Sequence, residues 1–202
     1  MNLLSGIGML LGGAWASGVN LYLTVAGLGI AGRLGWIELP AGLEVLSNQL
    51  VIAVAALLFL IEFFADKIPY VDSAWDSVHT FIRPAGAAVL AFMATAGMES
   101  APVQFTAALL CGVVSLDAHL TKATTRVAIN TSPEPFTNSA ASVSEDALVI
   151  VALWLIMKHP VIAGILVISF IVFSVWFLRV MFRFLNKAVR GLRGKSGSEE
   201  SG

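Results

Sequence analysis

Charge is what this sequence has least of. Asp, Glu, Lys and Arg make up 12% of its 202 residues, where a soluble domain carries about 25%. Hydrophobic residues reach 57%, and mean hydropathy is +0.86. A water-soluble globular domain is therefore excluded, and the net charge of −1 gives no basis for a nucleic-acid partner. Cysteine is limited to Cys111, which rules out an intrachain disulfide and reads as a small packing residue in an apolar run. Tyrosine is scarce too, with two against twelve Phe and five Trp, a set suited to lipid contact and interface anchoring. Residues 1–13 contain no basic side chain, so Ala14-Trp15-Ala16 is not read as a signal-cleavage site but as part of a retained span.

Residues 1–32 carry no charge, and as one helix they would measure about 48 Å against a hydrocarbon core of about 30 Å. Gly12-Gly13 and Ser17-Gly18 are the candidate breaks, with Asn20 and Tyr22 just beyond. A loop is expected over Arg33–Asn48, anchored at the interface by Trp36. Five more uncharged runs follow: Val45–Ile61, Pro84–Met98, Ser100–Leu116, Ala147–Met157 and Pro160–Leu178. The second and fourth have 15 and 11 residues, too few to span alone, so they must draw in His79 and Arg83, and Glu145, Asp146, Ser142 and Asn138. The expected architecture is an all-α integral membrane protein of about six transmembrane helices, some short or broken. Residues 1–183 form its single transmembrane domain. Residues 184–202 form a basic, then Gly/Ser/Glu-rich tail that ends in disorder.

The charge falls into two main islands, each with four acids, two bases and one His. In the first, Glu62 to Pro84, residues Asp72, Asp76, His79 and Arg83 stand at i, i+4, i+7 and i+11, one stripe of a helix. Val71, Trp75, Val78 and Ile82 form an apolar stripe about 100° round. The segment 70–83 is thus expected to be a short amphipathic helix, capped by Asp72 or Ser73 and bounded by Pro84. It either lines a buried polar site or lies on the lipid headgroups. In the second island, His119, Lys122, Arg126 and Asn130 make a basic stripe if the helix continues past Leu116. Ser142-Val-Ser-Glu145 fits a capping box for the next helix, with Asn138 as an alternative cap.

Counting Lys and Arg orients the chain with both termini in the cytoplasm, ten cations inside and only Arg33 and Lys158 outside. Glu62, Asp66, His79, Arg83, Asp117, His119, Glu145 and Asp146 then gather toward one cytoplasm-facing vestibule. The acidic face Asp72–Asp76 and the basic face His119–Lys122–Arg126 are expected to meet across it. The alternative is that each island satisfies itself, Asp76 with Arg83 and Asp117 with Lys122. His79 and His119 with Asp76 and Asp117 suit a divalent ion in donor type, but no metalloenzyme spacing accompanies them, so neither metal nor cofactor is assigned. The basic tail is expected to touch anionic lipid headgroups.

Three stretches, 16–40 (ASGVNLYLTVAGLGIAGRLGWIELP), 62–84 (EFFADKIPYVDSAWDSVHTFIRP) and 119–146 (HLTKATTRVAINTSPEPFTNSAASVSED), resemble a bacterial family of small membrane proteins, the domain of unknown function 4126. The resemblance covers nearly all of the chain except the tail. It implies a multi-pass protein of the bacterial inner membrane, and it brings no catalytic residues with it. The residues themselves point to a small transporter or permease. Its ion or substrate pathway would be Glu62, Asp66, Asp72, Asp76, His79, Arg83, Asp117, His119, Lys122, Arg126, Asn130, Asn138, Glu145 and Asp146. Two other classes stay open: a membrane-embedded enzyme acting on a lipid phosphate, and an assembly factor that docks a partner. A homo-oligomer is compatible with either class.

Overall fold

The computed structural model describes residues 3–199 except 69, 98–99 and 131–134, with side chains to residue 184 apart from those positions and 130 and 135. Seven α-helices follow in chain order: α1 Leu3–Val19, α2 Leu21–Arg33, α3 Gln49–Ala65, α4 Val71–Ala94, α5 Ala101–Asn130, α6 Pro135–Lys158 and α7 Pro160–Glu199. A 3-10 helix, Ala41–Ser47, precedes α3 where a plain loop was expected, because Leu43 and Leu46 are buried and fold the segment back onto the bundle. The described residues contain no strand.

The chain is an all-α membrane protein, and among the described residues four or five candidate spans stand beside two shorter apolar helices. Helices α4 to α7 are each long and apolar enough to cross a bilayer. A fifth crossing arises if the 3-10 helix and α3, bent by 68°, act together. α1 and α2 are shorter apolar helices, so the first 32 residues are broken as expected. The break lies at Asn20 (φ −150°, ψ 100°), whose Oδ1 accepts from the Leu23 N–H and caps α2. Gly12-Gly13 stays inside α1.

Three local expectations are corrected. The 70–83 segment does not stop at Pro84 but continues as α4 to Ala94. Its side-chain contacts through Arg83 outweigh the local pre-proline restriction, and membrane helices tolerate the one backbone bond that Pro84 removes. α4 is not capped by Asp72 or Ser73: Tyr70 precedes it in the left-handed region (φ 72°), making the sharp reversal out of α3. α6 begins at Pro135, a favoured first helical residue, so Ser142, Glu145 and Asn138 are interior positions and not caps.

α1 is the hub against which α4, α5, α6 and α7 pack. Its buried positions are Gly8, Gly12, Ala14, Ala16, Ser17, Gly18 and Val19, nearly all small, which brings the neighbouring backbones close. A Cβ on Gly18 would collide with the Ser115 carbonyl oxygen of α5, whereas one on Gly13 would meet open space. We predict that Gly18→Val destabilises the bundle by about 1–3 kcal/mol, as overpacking does. Gly13→Ala should stabilise it by about 0.5–1 kcal/mol through the unfolded chain's lost freedom. Denaturant unfolding in detergent micelles reads both, and equal effects at the two positions would contradict the packing.

Candidate functional site: a buried ion-pair network

The site begins with the period of α4. Asp72, Asp76, His79 and Arg83 fall on one side, as their spacing requires, and all four are buried. Val71, Val78 and Ile82 on the other side are exposed. In a membrane this inside-out arrangement is the stable one, since hydrocarbon meets the apolar stripe and protein covers the polar one. The headgroup-lying alternative fails for the same reason.

What covers the stripe is the second island together with the end of α3. Arg83 Nη2 donates to Glu62 Oε1 at 2.8 Å, and its Nη1 lies 3.5 Å from Asp76 Oδ1. Lys122 Nζ reaches Asp66 Oδ2 at 2.9 Å, with Glu62 and Glu145 each at 3.6 Å. Arg126 forks onto Glu145 through Nη2 (2.7 Å) and Nε (3.2 Å), a bidentate geometry that a lysine cannot make. It also lies 3.5 Å from Asp66 and 4.0 Å from Asp72. The two islands do meet directly, and they enclose Asn138, which accepts from Arg126 Nη1 at Oδ1 (2.8 Å) and donates to the Asp66 carbonyl. The result is one connected knot drawn from α3, α4, α5 and α6. Most of its members are buried, and Glu145, with 17% of its side chain exposed, lies at the edge.

The break between α1 and α2 feeds this knot. Leu23 N–H, the donor that Val19 O would have in a continuous helix, is taken by Asn20 Oδ1. The carbonyls at the end of α1 turn to cations instead: Gly18 O accepts from Arg83 Nη1 (3.3 Å) and Val19 O from Lys122 Nζ (3.5 Å). A helix C-terminus has free carbonyls and a negative dipole end, so it suits those charges.

The histidines are held by hydrogen bonds, not by carboxylate pairs. Arg83 Nη1 donates to His119 Nδ1 at 2.7 Å, and a guanidinium cannot accept. His119 is therefore the Nε2–H tautomer, donating to the Asp76 carbonyl (3.1 Å) and the Thr80 hydroxyl (3.0 Å). His79 donates from Nδ1 to the Trp75 carbonyl, stacks on the Trp75 ring, and meets the Tyr22 hydroxyl at Nε2 (3.0 Å). Among the described residues no three His, Cys, Asp or Glu side chains gather as a metal site.

Not every expected residue joins. Asp117 pairs with neither Lys122 nor Arg126: it accepts from Ser174 Oγ of α7 at 2.6 Å, because its side of α5 faces α7. Asp146 accepts from Asn20 Nδ2 at 3.0 Å beside the knot. Asn130 ends α5, and its side chain lies outside the described residues. Lys67, in the turn after α3, is held mainly by its own helix end, with Asp146 and Asp66 near enough to act on its charge. Its Nζ donates to the Phe63 carbonyl and sits over the Phe63 ring, and burial lowers its pKa. Asn20, Tyr22, Thr80 and Ser174 were missed as partners. Only Asn20 and Tyr22 carried a signal, as polar residues in a charge-free run.

Fold and site together define a multi-pass α-helical membrane protein with a charge cluster enclosed by its helices. The chain belongs to the family described as domain of unknown function (DUF4126), whose model matches residues 7–180. No curated protein and no solved structure matches it.

Removing one partner from a buried pair leaves an uncompensated charge, at about 3–5 kcal/mol. Arg83→Ala is expected to lose that much. Glu62→Gln combined with Arg83→Ala should be less destabilised than Arg83→Ala alone, because the stranded carboxylate is gone. A double variant at least as unstable as the single one would mean that Glu62 and Arg83 are not coupled.

Proposed function

We propose that the protein is a small permease of the bacterial inner membrane, and that the buried knot is its gate and ion-coupling site. One observation carries this reading. Among the described residues Glu62, Asp66, Asp76 and Glu145 are four carboxylates that share three cations, Arg83, Lys122 and Arg126, within 4.0 Å, so fully ionised this set carries one negative charge in surplus. Both carboxylate oxygens of Asp76, and Oε2 of Glu62, are buried with no hydrogen-bond partner among the described residues. Buried charge of one sign calls for protons or a mobile cation from outside the chain. A purely structural knot has no use for that surplus, whereas a coupled carrier has. A small cleft of about 150 Å³ between α4 and α5, lined by Ser73, Asp76, Thr80 and Arg126 together with Ala123 and Val127, gives Asp76 its approach.

The C-terminal tail and the α3–α4 turn face the cytoplasm in this reading, and the basic tail rests on anionic headgroups. The start of α1 lies at the opposite end, because Gly8 packs on Pro160 at the start of α7, so the expectation of a cytoplasmic N-terminus is corrected. Arg83, Lys122 and Arg126 are neutralised inside the bundle, so the orientation rests on Lys67 and the six tail cations. The segment around Gly42 packs against the Met93 carbonyl, at the end of α4 remote from Asp72. In a Cys111→Ala background, an impermeant maleimide should label Glu38→Cys from the outside of intact cells and Tyr70→Cys only in inside-out vesicles. Labelling of both from one side would refute the arrangement.

Flux tests the function itself. Vesicles containing the protein and an internal pH dye, exposed to pooled small metabolites, should show proton movement above that of protein-free vesicles. Asp76→Asn and Arg83→Ala should abolish it, and Lys158→Ala, remote from the knot, should retain it. No flux above the protein-free level, or flux undiminished in both knot variants, would reject the permease.

A further inference from the structure

A second feature, independent of the charge knot, occupies the opposite part of the bundle. A cavity of about 780 Å³ opens between α1, the C-terminal half of α4 and the N-terminal half of α5, with the 33–47 segment at one end. That is the size of a site for a drug-sized ligand. None of its lining side chains is charged. The few polar ones have little left to offer, since the hydroxyls of Thr95 and Thr106 already donate to the Ala91 and Pro102 carbonyls. Ser17, at the inner end of the α1 wall, keeps a buried hydroxyl without a partner among the described residues.

From this arrangement we infer that the cavity is a binding site for one acyl chain of a bilayer lipid, entering from the leaflet that contains the 33–47 segment. Three observations select that occupant. Leu3, Ile7, Val103 and Leu110 line the cavity and are also exposed, so its mouth opens sideways through the apolar length of α1 and α5, where hydrocarbon is the surrounding medium. The wall from Leu3 to Ser17 runs about 21 Å along α1, enough to take the roughly 15 Å depth of one leaflet's hydrocarbon. Trp36 is exposed on the 33–47 segment next to Ile37 and Leu39 of the lining, where an aromatic ring marks the headgroup level. A chain threaded from there would point its methyl end toward Ser17, with the headgroup left at the interface.

Gly13 makes the inference testable without breaking the fold. It lines the cavity, and a Cβ placed on it has nothing within 4 Å, so Gly13→Phe fills the space from the wall. The full chain is reconstituted in phosphatidylethanolamine/phosphatidylglycerol vesicles containing a phosphatidylcholine with a diazirine midway along one chain. After irradiation, crosslinks are mapped by mass spectrometry. Crosslinks are expected on Leu10, Ala91 and Cys111, and Gly13→Phe should reduce them at least tenfold while crosslinks on outward-facing Leu109 and Val113 persist. Ala107→Phe, on the α5 wall, should do the same and serves if Gly13→Phe fails to fold. Labelling confined to outward-facing residues overturns the inference. So does chain-to-chain crosslinking through the cavity wall, which would make a second copy its occupant. Neither result bears on the flux experiment, so the two readings fail separately.

Discussion

The structure turns on the need of a buried charge for a partner. Eight ionisable side chains, gathered inside the helix bundle, hold together because each lies within about 4 Å of a group of opposite sign. At an effective dielectric of about 20, one such contact is worth about 4 kcal/mol, comparable with the 2.5–3.5 kcal/mol that insertion scales assign to a lone charge at mid-membrane. Neither island can meet that requirement from its own helix. α5 contributes Lys122 and Arg126 but sends its Asp117 to α7, and α4 contributes Arg83 against two acids. Docking of α3, α4, α5 and α6 is therefore the condition under which these helices are tolerated in a bilayer.

The same requirement explains the broken first helix. A continuous α1–α2 helix would have closed its carbonyls on itself. Asn20 interrupts it, diverting Leu23 N–H to its own side chain and leaving Gly18 and Val19 oxygens for Arg83 and Lys122. Asn20 also ties its Nδ2 to Asp146. One residue thus sets a backbone break, presents a negative helix end to two cations, and holds an acid of α6. Small residues on α1 are the other half of the arrangement, because only a helix with Gly18 against the Ser115 carbonyl lets that break sit inside the bundle.

Legibility in the sequence followed periodicity. Asp72, Asp76, His79 and Arg83 could be placed on one face because four polar residues at helical spacing in an apolar chain admit few other arrangements. The pairing of the acidic and basic islands followed from sign. What stayed hidden was tertiary. Asp117 lies two residues from His119 and five from Lys122, yet its partner is Ser174, 57 residues on, a choice made by which side of α5 meets α7. Local rules misled where packing overrode them: Pro84 looked like a stop and is an interior residue, and Asn138 looked like a cap and is an arginine ligand. The first 32 residues read as broken because of their length, but the site of the break needed the Asn20 side chain, and glycine content pointed too early.

Two helices change character at the same level. Along α4 the buried stripe runs Asp72, Asp76, His79, Arg83 and then Ala87 and Ala91. Along α5 the sequence is reversed, Cys111 and Val114 coming before His119, Lys122 and Arg126. α4 and α5 therefore place polar residues against polar and apolar against apolar, dividing the bundle into a charged half and an apolar, hollow half. The end of α1 stands at the division: Ser17 lines the apolar cavity, and the next carbonyl, Gly18, accepts from Arg83. A single peptide unit thus separates the two compartments, and it belongs to α1, which packs against all four of α4 to α7. The Gly18–Asn20 break lies at that division, with regular helix on either side of it in α1 and α2.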